Sequence, residues 1–367
     1  MTHRGSALNA LAALLGTAAC LLLLIAGLNY RVDPAAIFDN GFAARENATI
    51  LTSGQSAALT HVDDRRLHVE VAQLISPTPD TLILGSSRTM LANTQMVSGT
   101  LYNASVSSAT LPDILGLAEA FVAAGKKPRT LVLGADTWLL SDTPINQRWR
   151  AIGEEYGAMQ ARIGDQTKRR TTDKFSRAKT LISLPYTLES LAELRADPMT
   201  ALFASAPLAA VDPARWDGPL KRADGSLRYG VDVRNRAPQL VQVAALTDAQ
   251  QIITEALVAE EPGLASADRL SRFARYLESE DVTLVLLLPP FNPLTYRAVA
   301  ESARPNYLRE REQYYRQWAG NLGVPVVGSY DPDRAGCSAE EFYDGVHARP
   351  SCLARQLVSL GETGGRR

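Results

Sequence analysis

Hydrophobic positions along this chain fall into three regimes. The first is a continuous block: between Gly5 and Tyr30 no side chain is charged, and the block holds Leu11, Leu14, Leu15 and the run Leu21-Leu22-Leu23-Leu24-Ile25. A helix needs about 20 apolar residues to cross a bilayer core. Residues 1–30 therefore read as a short tip and a transmembrane anchor. The block is longer than the roughly 7–15 apolar residues of a cleaved signal. Thr17-Ala18-Ala19-Cys20 faintly resembles a lipoprotein cleavage site, but the residues after Cys20 are the most apolar of the block, so a retained anchor is expected. Arg4 precedes the block, which by the positive-inside rule leaves the bulk of the chain outside the cytoplasm; Arg31 is a weaker opposing charge.

The second regime is short apolar runs alternating with helical periodicity. After Pro77 and Pro79 the runs are Thr81–Leu84, Leu101–Ser105, Thr130–Leu133, Val282–Leu288 and Val324–Val327. Helical spacing covers Leu111–Ala124, Ala267–Glu280, Asn306–Leu322 and about Pro350–Leu360. This alternation predicts an α/β domain over residues 77–362, built on a doubly wound, flavodoxin-like parallel sheet with helices on both faces. Residues 31–76 form a lead-in segment with one amphipathic helix over Val62–Leu74, and 363–367 are a tail.

The third regime, about residues 140–265, is rich in Arg, Gln, Thr and Ala and carries turn signals such as Asp217-Gly218-Pro219 and Ala223-Asp224-Gly225-Ser226. A structureless loop of that length is improbable in a compact domain. A mostly helical insertion that caps the site or contacts a partner is expected.

Composition changes this picture little. Of 367 residues, 46% are hydrophobic and 21% charged, which excludes global disorder. A formal net charge of -1 supplies no long-range field to recruit nucleic acid. The basic run Lys168-Arg169-Arg170 reads as a solvated helix face. Cysteines matter more. Cys20 lies in the anchor, so Cys337 and Cys352 form the soluble pair, and they bracket Asp344 and His347. Outside the cytoplasm a disulfide between them is expected, contributing about 3 kcal/mol through loop entropy. No metal-ligand spacing or phosphate loop calls for a cofactor.

A parallel sheet gathers reactive side chains at the carboxyl ends of its strands. Three polar groups fall there: Gly85-Ser86-Ser87-Arg88, Gly134-Ala135-Asp136, and the loop Phe342-Tyr343-Asp344-Gly345-Val346-His347. Histidine is scarce. His3 flanks the anchor, and His61 and His68 fall in the polar lead-in, where a solvated role is expected. A serine hydroxyl attacks only when an imidazole takes its proton, and the imidazole needs an acceptor to fix its tautomer. Asp344, three residues before His347, can be that acceptor. The residues alone leave a structural His347 and a catalytic one both open.

Gly85-Ser86-Ser87-Arg88 after a strand, with Asp344-x-x-His347 before the last helix, resembles the SGNH/GDSL hydrolase superfamily. The likeness is closest to its membrane-anchored branch associated with polysaccharide O-acetylation and with D-alanylation of teichoic acid. Asn29-Tyr30-Arg31-Val32-Asp33-Pro34, the Ala178–Leu194 segment with Leu181-Ile182-Ser183, and Leu288-Pro289-Pro290 add to it. The resemblance implies Ser87 as nucleophile, Ser86 as a turn residue, Asp344 as orienting acid and His347 as general base. The middle motifs depart from the family pattern. Asn103-Ala104-Ser105 stands where a glycine gives an oxyanion N–H, so Ser105 is the expected backbone donor. Asp136 stands where an asparagine side chain is usual, and a carboxylate accepts rather than donates. Asp136 is therefore expected to pair with Arg88 and hold the nucleophile loop.

The function this implies is serine-dependent O-acyl transfer, with acetyl as the acyl group, to an extracytoplasmic glycan. The donor partner would be a membrane-bound O-acyltransferase, the acceptor a polysaccharide, and the catalytic domain would face the periplasm from a single-pass inner-membrane anchor. A partner-free carbohydrate acetylesterase and a non-catalytic scaffold for the acyltransferase are the alternative readings.

Overall fold

The structure is a computed structural model that describes residues 2–33, 38, 42–58, 64–143, 145–165, 178–196, 210–258 and 262–358. His61, the run Lys168–Arg170 and the 363–367 tail lie outside the described residues.

The uncharged N-terminal block forms one helix, Thr2–Val32. Within it Ala12–Val32 is long and apolar enough to cross a membrane: 21 residues at 1.5 Å each rise about 31 Å, against a hydrocarbon thickness of about 30 Å. The lead-in follows as a helix Phe42–Thr52, strand β1 (Ser56–Ala58) and a helix Asp64–Leu74.

Five of the strands that follow make an all-parallel sheet: β2 (Thr81–Leu84), β3 (Leu101–Asn103), β4 (Thr130–Gly134), β8 (Thr283–Leu288) and β9 (Val326–Gly328). The sequence between β4 and β8 contributes three short strands of its own: β5 (Ala210–Val211), β6 (Leu220–Lys221) and β7 (Leu227–Arg228). The parallel sheet is ordered β3-β2-β4-β8-β9. Counted along the chain that is 2-1-3-4-5, the order of flavodoxin-type sheets, with the topological switch between β2 and β4.

Successive side chains of a strand point to opposite faces, and the core divides accordingly. Leu82, Leu84, Leu131, Leu133, Leu284, Leu286 and Leu288 pack on one side with the helices Leu111–Ala123, Leu264–Ser279 and Tyr307–Leu322. Ile83, Val132, Val285, Leu287 and Val327 pack on the other with the last helix, Pro350–Val358, and the Met90–Met96 segment. Both faces are covered, which is why these strands read as continuous apolar runs.

The strand Leu101–Ser105 expected from the sequence ends at Asn103, although beyond it the Ala104 and Val106 N–H groups still donate to the carbonyls of Ile83 and Gly85. The larger departure concerns the insertion. Helices Gly153–Arg162, Leu184–Ala196 and Pro238–Val258 are its longest described elements. However, β5, β6 and β7 join β1 of the lead-in in an antiparallel sheet ordered β5-β1-β6-β7. Two-residue strands leave no periodicity to read.

The turn between β6 and β7 also covers the open edge of the main sheet. The Asn103 N–H donates to the Asp224 carbonyl at 2.8 Å, and the Leu227 N–H to the Met90 carbonyl at 2.8 Å. An uncovered edge would offer unpaired backbone groups to another chain.

His68 corrects an expectation. It is fully buried, not solvated. Its Nδ1 lies 2.9 Å from the Tyr102 hydroxyl and its Nε2 3.0 Å from Lys221 Nζ, while Lys221 pairs with Asp64 at 3.1 Å. Burial, then the Lys221 charge, holds the imidazole well below its ordinary pKa. The lead-in helix is amphipathic as expected. Its polar side, however, meets the insertion rather than water, and no local pattern announces that partner.

Candidate active site

The carboxyl ends of the parallel strands converge on Ser87. Strand β2 ends at Gly85, where the chain passes close to β4. A Cβ on Gly85 would lie 2.4 Å from Thr89 Oγ1 and 3.2 Å from Gly134 Cα, and one on Gly134 would lie 2.7 Å from Thr89 Cγ2. Only glycine permits that approach at both positions. The tight exit brings Ser86, Ser87 and Arg88 onto the rim.

Ser87 Oγ lies 2.9 Å from His347 Nε2, and His347 Nδ1 lies 2.7 Å from Asp344 Oδ2. The sequence separates Ser87 from His347 by 260 positions; the sheet brings them together. Asp344 is held by its own loop, because Oδ1 accepts the N–H of Val346 at 2.9 Å and of His347 at 2.8 Å. One carboxylate oxygen is fixed by backbone and the other faces the imidazole. Burial would raise the Asp344 carboxyl, but hydrogen bonds from His347 and from these two N–H groups, with the attraction of His347, outweigh it and leave the carboxyl below its ordinary range.

The loop itself is braced three ways. Phe342 and Ala348 form an antiparallel bridge, and the Tyr343 N–H donates to the His347 carbonyl at 3.0 Å. Cys337 and Cys352 form the disulfide expected from the sequence, enclosing Asp344 and His347. From outside, Asn292 donates to the Asp344 carbonyl at 3.1 Å, and Asp248 accepts the Gly345 N–H at 2.8 Å. A Cβ on Gly345 would fall 2.5 Å from Thr295 Oγ1 and 2.7 Å from Asp248 Cβ, so glycine is required under the Pro238–Val258 helix.

Arg88 and Asp136 form a buried pair, Nη1 to Oδ1 at 3.2 Å, with side chains 1% and 2% exposed. The remaining guanidinium donors are also engaged. Nη2 donates to the carbonyls of Pro289 and Pro290, and Nε donates to that of Val346 at 3.4 Å. The guanidinium carbon stands 3.8 Å over the Phe291 ring. One side chain thus ties the Ser87 loop to the ends of β4 and β8 and to the Asp344–His347 loop. A rigid planar fork suits this role better than a point charge. Burial pushes the Asp136 carboxyl up, while the charge of Arg88 and hydrogen bonds from Ser86 and Arg88 pull it back.

Ser105 does not play the expected part. Its N–H is spent on Asn103 Oδ1, and its hydroxyl lies 2.8 Å from Thr89 Oγ1. The Ala104 and Val106 N–H groups are also spent, on the Ile83 and Gly85 carbonyls. Among the described residues, the N–H groups of Ser87, Ser107 and Ser108 carry no such bond. Ser108 adopts φ 50°, a left-handed backbone that a non-glycine residue adopts at some cost. On this loop Ser107 and Ser108, unlike Ser105, keep an unspent N–H.

Two neighbours lay beyond sequence reasoning. Tyr229, just after β7, meets the His347 ring edge-on at 6.1 Å and Tyr343 at 5.1 Å. Asp248 approaches from the long helix of the insertion. Both come from the region between β4 and β8, where nothing local marks a residue as bound for the site. Among the described residues no cluster of histidine, cysteine or carboxylate side chains is arranged to hold a metal ion.

The arrangement can pass a proton from a serine hydroxyl to an imidazole whose other nitrogen is held by a carboxylate. That is the requirement for activating an oxygen nucleophile, met here on an α/β fold with a five-stranded parallel sheet. No family model matches the chain, and no curated protein matches it.

Proposed function

We propose that this chain is an SGNH-type serine acyltransferase, anchored in the inner membrane by its N-terminal helix, that acylates an extracytoplasmic polysaccharide. The observation that carries the reading is the continuous chain Ser87 Oγ–His347 Nε2–Asp344, at 2.9 and 2.7 Å, on the carboxyl rim of the sheet. In this reading Ser87 Oγ attacks the carbonyl of an acyl donor while His347 Nε2 takes its proton. The tetrahedral oxyanion accepts the Ser87 N–H and a second N–H from Ser107 or Ser108. His347 then returns the proton to the leaving oxygen, giving an acyl-Ser87 ester. An acceptor sugar hydroxyl, deprotonated in turn by His347, attacks that ester, and Ser87 leaves with the proton restored. Asp344 holds the imidazole tautomer throughout, and no cofactor is needed.

Acetyl is the acyl group and a membrane-bound O-acyltransferase the donor that the resemblance supports. The oxyanion side favours transfer over efficient free hydrolysis. The asparagine donor of the family pattern is replaced by Asp136, an acceptor already held by Arg88 and Ser86. Loss of one oxyanion donor typically costs about 3–4 kcal/mol in the barrier. The test is a fluorophosphonate probe on the full-length protein. Labelling of the wild type, absent in Ser87→Ala and in His347→Ala, is the expected result. An unlabelled wild type, with glycan acylation unchanged in Ser87→Ala cells, would establish a scaffold instead.

A further inference from the structure

The insertion carries an apolar surface that the site does not use. On the helix Leu184–Ala196, Leu184, Leu188 and Leu191 are 69%, 58% and 41% exposed, and Ile182 just before it is 54% exposed. Their i, i+4, i+7 spacing puts the three leucines on one stripe. The opposite side holds Tyr186 and Ser190, which are buried. The stripe is thus not an unfinished core but one face of a packed helix turned outward. Isolated exposed leucines need no explanation, whereas a contiguous row does.

What lies against that row follows from where the helix is attached. Asn29, one turn before the end of the membrane-spanning stretch Ala12–Val32, donates to the Leu181 carbonyl and to Thr187 Oγ1, both at 2.8 Å. The Tyr186 hydroxyl donates to Asp33, just past that end. These contacts fix the first turn of the helix at the level where hydrocarbon gives way to headgroups. The anchor's own exposed Leu21–Leu24 continue the apolar surface into the bilayer. Lys179 lies before the stripe and Arg195 at its far end, both on exposed positions. Cations flanking an apolar face favour anionic phospholipid.

We infer that Ile182–Leu191 is a membrane-surface helix, its leucine row seated in the headgroup boundary of an anionic phospholipid bilayer beside the anchor. The inference rests on the anchor reading and not on the chemistry of Ser87. It gives the chain a second membrane contact, which would restrain rotation of the α/β domain about a single span and fix which way the rim faces.

The test uses the full chain in a Cys20→Ser background, spin-labelled at single cysteines and reconstituted in phosphatidylethanolamine vesicles containing phosphatidylglycerol. Leu188→Cys tests the stripe, Leu22→Cys the anchor, and Ser279→Cys an exposed position on the α/β domain. At 188 the label should be relaxed by dissolved oxygen and shielded from a water-soluble nickel chelate, with the reverse at 279. A water-exposed 188 beside a lipid-exposed 22 overturns the surface helix and leaves the anchor standing. Water exposure at both positions overturns the anchor and the inference with it. An immobilised label at 188, shielded from both reagents, would mean that protein covers the stripe and would also overturn it. Fluorophosphonate labelling of Ser87 is independent of all three outcomes.

Discussion

Among the described residues two arginine–aspartate pairs have both side chains fully buried, and they hold different parts of the molecule. Arg65 meets Asp113 at 2.6 Å, and Arg88 meets Asp136 at 3.2 Å; all four side chains are 2% exposed or less. In each pair the arginine also donates to loop carbonyls. Arg65 Nη2 reaches the Ser107 carbonyl at 3.0 Å, while its partner Asp113 caps the Leu111–Ala123 helix through the Thr110 N–H and hydroxyl, each at 2.7 Å. Arg65 therefore joins the lead-in to the Leu111–Ala123 helix and to the loop after β3. Arg88 is bonded to Asp136 and to the carbonyls of Pro289 and Pro290 and touches the loop that carries His347. A buried ion pair is weak evidence of net stabilisation, since desolvation offsets its attraction. What distinguishes these two is what each one holds in place.

The comparison is sharpest in Arg88→Ala. Activity per folded molecule should fall about 100-fold or more, the cost of displacing a reacting group by about an ångström. Arg65→Ala, which reaches the site only through the Ser107 carbonyl, should cost less activity per folded molecule than Arg88→Ala. Rates normalised to folded protein by circular dichroism separate the two, and equal losses would erase the distinction. Arg88→Lys keeps the charge without the planar fork and should recover folding more than activity.

Both alanine variants should lose about 3–5 kcal/mol in denaturant titration, because each strands a buried carboxylate. The double variant Arg88→Met/Asp136→Leu should be more stable than either single change while remaining inactive. Stability no better than in Arg88→Ala would mean that the pair contributes net attraction as well as position.

Opening the Cys337–Cys352 bond should cost about 3 kcal/mol. It should also make activity more sensitive to Arg88→Lys, since the bond and Arg88 brace one loop from two sides. Chemical denaturation with and without reductant measures this, and additive effects would show the braces to be independent.

The smallest effect is in pH. His68 packs beside Arg65 and Lys221 with its pKa depressed below the ordinary 6.5. Its protonation opposes folding, so its contribution is intact above pH 6.5 and is lost as pH falls below that value. Stability between pH 6.5 and 5 should therefore decline, and His68→Gln should flatten that slope. An unchanged slope in the variant would locate the titration elsewhere. Because His68 lies on the Arg65 side, the acid-sensitive region should not include Arg88.

How far the sequence carried depends on range. Strands β2, β4 and β8 fall within a residue or two of the apolar runs, because burial on both faces leaves an unbroken apolar signature. The Asp344–His347 contact is three residues long and closed by its own loop, so it was legible before any fold. The disulfide followed from cysteine position, and the Arg88–Asp136 pair from the need to neutralise a carboxylate at a strand end. Ser105 shows where local reading stops. It was expected at the end of a strand with a free N–H, yet the strand ends at Asn103 and the N–H turns to that side chain.

By itself the sequence determined the long apolar N-terminal helix, the alternation of strands and helices, and the residue types at the strand ends, because each depends on neighbours within a few positions. Tertiary structure alone decided what long-range contact controls. It paired β1 with strands more than 150 positions away, buried His68 against Lys221, and brought Tyr229 and Asp248 to the Asp344–His347 loop. It also turned the leucine row of the insertion outward beside the N-terminal helix. Apolar periodicity states that a face will be covered; which surface covers it depends on the path of the whole chain.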